Sequence, residues 1–314
     1  MSEAAGLRSI VFKLVRWSLL PLVYRRVFRR NRVTILVYHA PSRETTDKHL
    51  RVLKSLYTVI TLRDYLHVRK RGGKLATRPI VITYDDGHVS NFHLKDAFTS
   101  HGVLPTLFVC AGIVGTKRHF WFLHDHLAQE EVQALKELDD DERLGRLRNN
   151  GFCERKEYDE RQGLSLEEMR ELQGAVDFQS HTVFHPILTR CSDDRTSWEI
   201  AESKRALDGL GFEVYALAYP NGSYSEREAR AAEQAGYSCA LSLEEGANDM
   251  ATPLFRLGRT CIPDDAGIDE LIVKSSGVWS DVVKLTPSTV RRWWRGARSC
   301  RNGTSGRSNG AEDA

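Results

Sequence analysis

Residues 80–87 read Ile-Val-Ile-Thr-Tyr-Asp-Asp-Gly, an apolar run that ends on two adjacent carboxylates and a glycine. β-Branched residues favour an extended backbone, so the run predicts a strand that is buried on both faces. Gly87 then gives the backbone freedom to turn. Two carboxylates at the mouth of a buried strand repel each other and lose hydration, which points to a cation or a reaction that they serve.

A second stretch, far downstream, supplies complementary ligands. Residues 180–186 read Ser-His-Thr-Val-Phe-His-Pro, and the His-x-x-x-His pair offers two imidazole nitrogens. One Asp with two His is a ligand set for a divalent metal; it suits Zn²⁺ best, and Co²⁺, Ni²⁺ or Mn²⁺ could substitute. A neighbouring carboxylate that binds no metal could act as a general base. We therefore expect a divalent metal site that joins the two stretches.

Strand and helix signals alternate on both sides of these stretches. Such alternation implies parallel strand pairing, and about seven units predict an α/β barrel. The reacting groups of such barrels lie where the carboxyl ends of the strands meet. The residues that directly follow predicted strands should therefore converge: His39, Asp85, Asp86, His181 and the stretch 219–221.

The chain divides into three parts by composition. Residues 1–32 form a basic amphipathic segment, 33–284 form the main domain, and 285–314 form a basic tail that we expect to be disordered. Within the main domain, residues 117–174 predict a helical insertion, because apolar residues recur there at helical spacing. The last helix of this insertion should begin at the capping-box sequence 165–168.

The charge is unevenly distributed. The whole chain has a net charge of +3, whereas residues 1–32 hold eight Lys or Arg and one Glu. Basic ends on an acidic body favour an anionic membrane surface over a nucleic acid as partner, although solvated flexible ends are an alternative. The longest charge-free run, 17–24, is far shorter than the roughly 20 residues that span a bilayer. We expect an interfacial helix on the cytoplasmic membrane face, or else a helix packed on the body.

The cysteines are scattered and form no C-x-x-C pair. Several have apolar neighbours, which predicts free thiols of a reducing compartment rather than a disulfide framework. The six positions are Cys110, Cys153, Cys191, Cys239, Cys261 and Cys300.

The two stretches resemble the first and second motifs of the polysaccharide deacetylases, the NodB-homology group of carbohydrate esterase family 4. The resemblance runs from about residue 33 to 280, includes Leu-Val-Tyr-His at 36–39 and Ala-Tyr-Pro-Asn-Gly at 218–222, and is closest to the exopolysaccharide and surface-glycan branch. It implies a distorted (β/α) barrel of about seven units. It also implies a hydrolase that removes an N-acetyl group from an N-acetylated sugar of a polysaccharide or lipid-linked glycan.

The resemblance assigns roles residue by residue. Asp85 matches the catalytic base, and Asp86, His181 and His185 match the metal ligands. Asn221 falls where the family supplies a backbone N–H that stabilises the oxyanion of the tetrahedral intermediate.

Two departures from the family pattern concern the groups around the base. Ala218 stands where many members have an arginine that holds the base, and we expect Arg259 to reach Asp85 from the next strand instead. No histidine follows His185, so the late general acid of many members is missing. His39 is our candidate to protonate the leaving amine; alternatively, the protonated Asp85 returns the proton itself.

These departures keep two alternatives open. One is a non-catalytic glycan-binding protein on the same fold. The other is a hydrolase of a different acyl group, such as a formyl group or an O-acetyl ester. The sequence leaves the oligomeric state open.

Overall fold

The computed structural model describes residues 3–124 and 127–285. Its strands are β1 (Thr34–Tyr38), β2 (Thr58–Val59), β3 (Pro79–Tyr84), β4 (Thr106–Val109), β5 (Asp177–Ser180), β6 (Ala216–Ala218), β7 (Cys239–Leu241) and β8 (Thr260–Cys261). They form one sheet in the order β7-β6-β5-β4-β3-β1-β8, with β2 beside β3, and the paired strands run parallel.

The helices connect these strands or lie outside them. Within the described residues they are α1 (Glu3–Trp17), α2 (Leu20–Val23), α3 (Arg43–Leu56), α4 (Leu62–Arg71), α5 (Lys95–His101), α6 (Gln129–Lys136), α7 (Asp140–Asn149), α8 (Leu166–Leu172), α9 (Asp193–Gly209), α10 (Glu226–Gln234), α11 (Ile268–Ser276) and α12 (Val278–Leu285). A π-helical turn, Tyr24–Phe28, follows α2.

Strand β3 shows why the sheet is covered on both faces. All six of its residues are buried. Side chains alternate between the faces of a strand, so Ile80 and Ile82 enter the apolar core beneath the outer helices, whereas Val81 enters a second core inside the sheet. Phe108 of β4 belongs to that inner core as well. The same alternation directs Asp85, two residues beyond Thr83, toward the interior of the sheet.

The sheet curls until its two edges nearly meet. Residue Leu257 pairs in parallel with Leu241 of β7, and the following β8 pairs with β1 through Thr260 and Cys261. Residues 257–261, the closing segment, therefore bridge the gap between β7 and β1. The predicted distorted (β/α) barrel is confirmed.

The predicted helical insertion at 117–174 contains α6, α7 and α8. Ser165 caps α8 as its sequence predicts, since its hydroxyl accepts a hydrogen bond from Glu168 N at 3.2 Å. Aromatic residues of the insertion form an apolar cluster with the loop after β5, including Phe120, Trp121 and Phe184. The insertion thus lies against the histidine stretch.

The N-terminal segment packs on the end of the main domain. The Phe12 ring of α1 lies 4.6 Å from the Trp279 ring of α12, and Arg8 pairs with Glu270 of α11 at 2.5 Å. No helix among the described residues is long and apolar enough to cross a membrane. The tail predicted from residue 285 onward lies, apart from Leu285 itself, outside the described residues.

The expectation of free thiols was wrong for Cys261, which is disulfide-bonded. Its strand, β8, has only two residues, and Cys261 is half-buried rather than a core residue. The other described cysteines, Cys110, Cys153, Cys191 and Cys239, are free.

Candidate metal centre and catalytic base

Three possible metal ligands meet where β3 and β5 end. Nε2 of His181 and Nε2 of His185 lie 3.6 and 3.5 Å from Oδ1 of Asp86. The donor atoms of all three side chains lie within 4.8 Å of one another, and all three residues are buried. The structure therefore brings together the three residues that the sequence assigns as ligands.

The backbone of these loops is unusual. Asp86, Thr182 and His185 have φ angles of 75°, 68° and 58°, in the left-handed region that residues with a Cβ rarely adopt. Gly87 shares this conformation, and a Cβ there would lie 2.7 Å from Cγ1 of Val109. Such conformations cost free energy and persist where the surrounding structure holds them, as it often does around functional groups.

Hydrogen bonds to the neighbouring backbone orient the two histidines. Nδ1 of His181 lies 2.7 Å from the carbonyl oxygen of Ala218 and must donate to it, because a carbonyl only accepts. This bond directs the other nitrogen, Nε2, toward Asp86 with its lone pair available. The indole N–H of Trp121 donates to the carbonyl oxygen of His185 at 2.9 Å, which fixes the second loop residue.

The donor set fits a divalent metal ion. Two imidazole nitrogens and one carboxylate oxygen are typical of zinc sites with an open position, and a tetrahedron with bonds of about 2.0–2.2 Å has edges of about 3.3–3.6 Å. The distances of 3.5 and 3.6 Å from Oδ1 of Asp86 to the two Nε2 atoms match these edges. Asp86, His181 and His185 are the side chains that would hold the ion.

Asp85 lies beside this group but has a different partner. Its two carboxylate oxygens accept hydrogen bonds from Nη1 and Nη2 of Arg259 at 2.7 and 2.9 Å. Arg259, fully buried, is itself anchored by its Nε–H, which donates to the carbonyl oxygen of Ser242 at 3.1 Å. The closing segment of the barrel thus places this arginine opposite Asp85.

The surroundings of Asp85 keep it ionised. Burial by itself would raise the pKa of the carboxyl, but Arg259, His181 and His39 outweigh burial and hold the pKa below its ordinary value. A paired arginine stabilises the carboxylate form. Oδ2 of Asp85 lies 3.7 Å from Nε2 of His181, so the ionised carboxylate faces the ligand group.

The two other predicted site residues lie at the same end of the barrel. His39 directly follows β1, and its backbone N–H donates to Oδ1 of Asp264 at 3.1 Å. An electrostatic interaction with His39 is the smallest of the contributions that lower the pKa of Asp85. Asn221 follows β6 with a φ of 57° and an exposed side chain, three residues beyond the Ala218 carbonyl that orients His181.

The sequence did not reveal one group that supports the ligand loop. Oε2 of Glu199 accepts hydrogen bonds from the backbone N–H groups of Val183 and Phe184 at 2.7 and 3.0 Å. These two residues lie between His181 and His185. Glu199 is one acid among several on α9, and only its burial, with no exposed surface, distinguishes it. The bond from Trp121 to His185 was likewise not predictable from the sequence.

Comparison with known proteins gives consistent results. A family profile described as "Polysaccharide deacetylase" matches residues 72–240, more than half of the chain. The protein YxkH of Bacillus subtilis, whose name also refers to polysaccharide deacetylation, is 22% identical over 242 residues, which cover 73% of this chain and 70% of YxkH.

Two solved structures share the fold. The Streptococcus pyogenes deacetylase PplD, solved in complex with acetate, has a TM-score of 0.58 at 20% identity and covers 79% of this chain and 99% of its own. A de-N-acetylase from Aggregatibacter actinomycetemcomitans has a TM-score of 0.56 at 14% identity, covering 76% and 97%. With the family profile matched over the motif-bearing strands and loops, the chain belongs to the polysaccharide deacetylase family and is a deacetylase.

Proposed function

We propose that the chain is a metal-dependent hydrolase that removes the N-acetyl group from an N-acetylated sugar of a polysaccharide or lipid-linked glycan. The observation that carries the proposal is the separation of two adjacent carboxylates into two environments. Oδ1 of Asp86 lies 3.6 Å from Nε2 of His181 and 3.5 Å from Nε2 of His185, whereas Asp85 accepts a hydrogen bond from the guanidinium of Arg259. Amide hydrolysis needs this pair of functions, a cation site and a base, side by side.

The divalent ion, when bound, would supply Lewis acidity to the acyl oxygen and lower the pKa of a water. Asp85 would take the proton from the attacking water at Oδ2, the oxygen that faces His181 at 3.7 Å. Arg259 holds both oxygens of Asp85 in place, so the carboxylate needs no reorientation before it accepts the proton.

The remaining steps concern the oxyanion and the leaving amine. The backbone N–H of Asn221 would donate to the oxyanion, because the 219–221 turn adjoins His181 through Ala218. The amine needs a proton when the C–N bond breaks. Asp85 can return the one that it has taken, or His39, which influences the same carboxylate, can supply one.

The substrate class is supported by the similar proteins. One similar structure is described as a de-N-acetylase, and another is a deacetylase in complex with acetate. Both share the fold at low identity, so the N-acetyl sugar and the exopolysaccharide setting are part of the proposal.

Acetate release tests the proposal. The full chain is treated with a chelator, dialysed, and assayed on N-acetylhexosamine oligomers before and after addition of Zn²⁺, Co²⁺, Ni²⁺ or Mn²⁺. We expect release to stop with chelator and to return with metal. Release that persists at full rate in chelator would contradict metal dependence.

The same assay separates the alternatives. Sugar binding without turnover, insensitive to chelator, would identify a glycan-binding protein instead. Release of formate or of O-acetyl groups, with N-acetyl groups left intact, would keep the hydrolase but change its substrate.

A further inference from the structure

The N-terminal segment presents an apolar surface that the main domain does not cover. Most large apolar side chains that are well exposed in the described residues lie between residues 10 and 28, and only four lie elsewhere: Leu104, Trp198, Leu210 and Met250. Leu14 and Trp17 are 67% and 70% exposed. Scattered exposed apolar residues are ordinary, but a contiguous group marks an interaction surface.

On α1 these side chains share one face. Ile10, Leu14 and Trp17 are spaced by four and three residues on α1, which places them on one side of the helix. Phe12, on the other side, is buried against Trp279. The same exposed character continues into α2 and the π-helical turn, through Leu19, Leu20, Val23, Val27 and Phe28. We call this set of residues, from Ile10 to Phe28, the apolar face.

Cations divide into two groups around the apolar face. Arg8 and Arg16 pair with Glu270 and Asp269 of α11 and attach the segment to the main domain. Lys13, Arg26 and Arg30 are exposed instead. Between Glu3 and Glu44 the sequence contains no acidic residue. The exposed cations therefore have no acidic neighbour within their own segment.

Exposed apolar side chains together with exposed cations favour one kind of binding partner. Apolar side chains flanked by cations match the interface of an anionic bilayer, where the chains enter the acyl boundary and the cations meet the headgroups. A second copy of the chain would bring the same cations against these, which disfavours self-association. We infer that the apolar face binds the surface of an anionic lipid bilayer and holds the main domain there without spanning the membrane.

Vesicle co-sedimentation of the full chain tests the inference. We expect binding to vesicles of phosphatidylcholine with phosphatidylglycerol, weaker binding at high salt, and little binding to phosphatidylcholine alone. The double variant Leu14→Ser/Trp17→Ser should lower the partition coefficient about tenfold or more, since two large apolar groups are lost. Lys13→Glu/Arg26→Glu should lower it by a similar factor on anionic vesicles only.

Matched controls keep the result specific. Leu210→Ser/Met250→Ser replaces exposed apolar residues elsewhere and should bind like the wild type. If Leu14→Ser/Trp17→Ser melts at a lower temperature than the wild type, Ile10→Ser/Val27→Ser replaces it. All variants should release acetate from soluble oligomers at the wild-type rate, so the outcome is independent of the proposed function.

Two results would overturn the inference. One is equal vesicle binding by the wild type and the apolar-face variants, or no binding by either. The other is a wild-type dimer in sedimentation velocity that Leu14→Ser/Trp17→Ser dissociates, without any vesicle binding, which would make the face an interface between copies.

Discussion

Two arginine–carboxylate pairs support the candidate metal centre, one at Asp85 and one at the loop that carries the two histidines. On the base side, Arg259 contacts both oxygens of Asp85. On the ligand-loop side, Arg195 lies 2.8 Å from Glu199, whose other oxygen holds the loop between the two histidines. Both carboxylates are buried, but the Arg259 side chain is fully buried whereas that of Arg195 is 22% exposed, and more acids share Arg195.

Burial and the neighbouring charges together set the pKa of each carboxyl group. Arg195 also lies 2.7 Å from Glu154 and 3.8 Å from Asp140. Burial raises the pKa of Glu199 to about 7, and the one shared arginine does not offset it. Asp85, with a guanidinium on both oxygens, has a lowered pKa instead. An arginine partner thus accompanies a lowered pKa at Asp85 and a raised pKa at Glu199.

The largest expected effect separates ligand from base. His181→Ala should abolish both metal binding and acetate release, because it removes one of the three side-chain ligand atoms. Metal content by mass spectrometry and acetate release measure the two effects. His124→Ala is the control, since that ring contacts the carbonyl of Asn150 in the insertion and should retain metal. Full metal stoichiometry in His181→Ala would refute the ligand assignment.

Asp85→Asn should remove activity and leave the metal. Loss of a general base lowers kcat by about 10²–10⁴-fold. The metal content should stay at the wild-type level, because Asp86, His181 and His185 are unchanged. A variant that keeps the wild-type kcat would show that another group takes the proton.

Arg259→Gln should lower the free energy of unfolding by about 3–5 kcal/mol, since it leaves a buried carboxylate without its cation. Urea unfolding measures the change. The double variant Asp85→Asn/Arg259→Gln removes both charges and should regain part of the loss. Strictly additive single-variant effects would indicate that the two side chains do not interact in solution.

The variant Glu199→Gln tests the raised pKa of Glu199 through the pH dependence of stability. The folded state raises the pKa of Glu199 above the ordinary value of 4.5 to about 7, so it binds more protons than the unfolded chain in that range. Wild-type stability should therefore fall as pH rises from about 4.5 to 7, by on the order of 3 kcal/mol from this group. Gln keeps the acceptor oxygen but does not titrate, so the variant should lack this fall, and its stability relative to the wild type should rise with pH across the same range. Parallel pH profiles would contradict the assignment.

The smallest expected effect concerns the second histidine. Trp121→Phe removes the N–H that donates to the carbonyl of His185 but keeps an aromatic ring in the cluster. Loss of such an outer contact should weaken metal affinity about tenfold. Competition with a fluorescent chelator measures it, with the partly exposed Trp198→Phe as control. Equal affinities would assign Trp121 to packing alone.

The sequence predicted those parts of the site that consist of polar side chains directly after predicted strands. The alternation of strands and helices predicted the barrel, and residues 80–87 and 180–186 predicted which groups would meet. The groups that hold these side chains in place were not predictable from the sequence. The acceptor for His181 is a backbone carbonyl, which every residue at position 218 would supply. Glu199 and Trp121 act through contacts that exist only after α9 and the insertion have packed.

Prediction was limited in a similar way for the N-terminal segment. Its sequence intersperses basic residues among apolar ones and did not show which side of the helix packs on the body. The structure assigns Phe12 to the packed side and Leu14 to the open side. The structure shows the predicted packing on the body for one side of α1, and contact of the other side with a membrane stays a prediction.

The closing segment has a consequence for the order in which the protein matures. Asp85 and Arg259 are separated by 174 residues, and the ribosome makes the base long before its arginine. Until residues 257–261 bridge β7 and β1, the carboxylate at the end of β3 lacks its counter-ion. A nascent chain that ends at residue 240, although it contains both sequence motifs, would hold an unneutralised acid in an open sheet. Docking of the last short strand is then the step that completes both the barrel and the base.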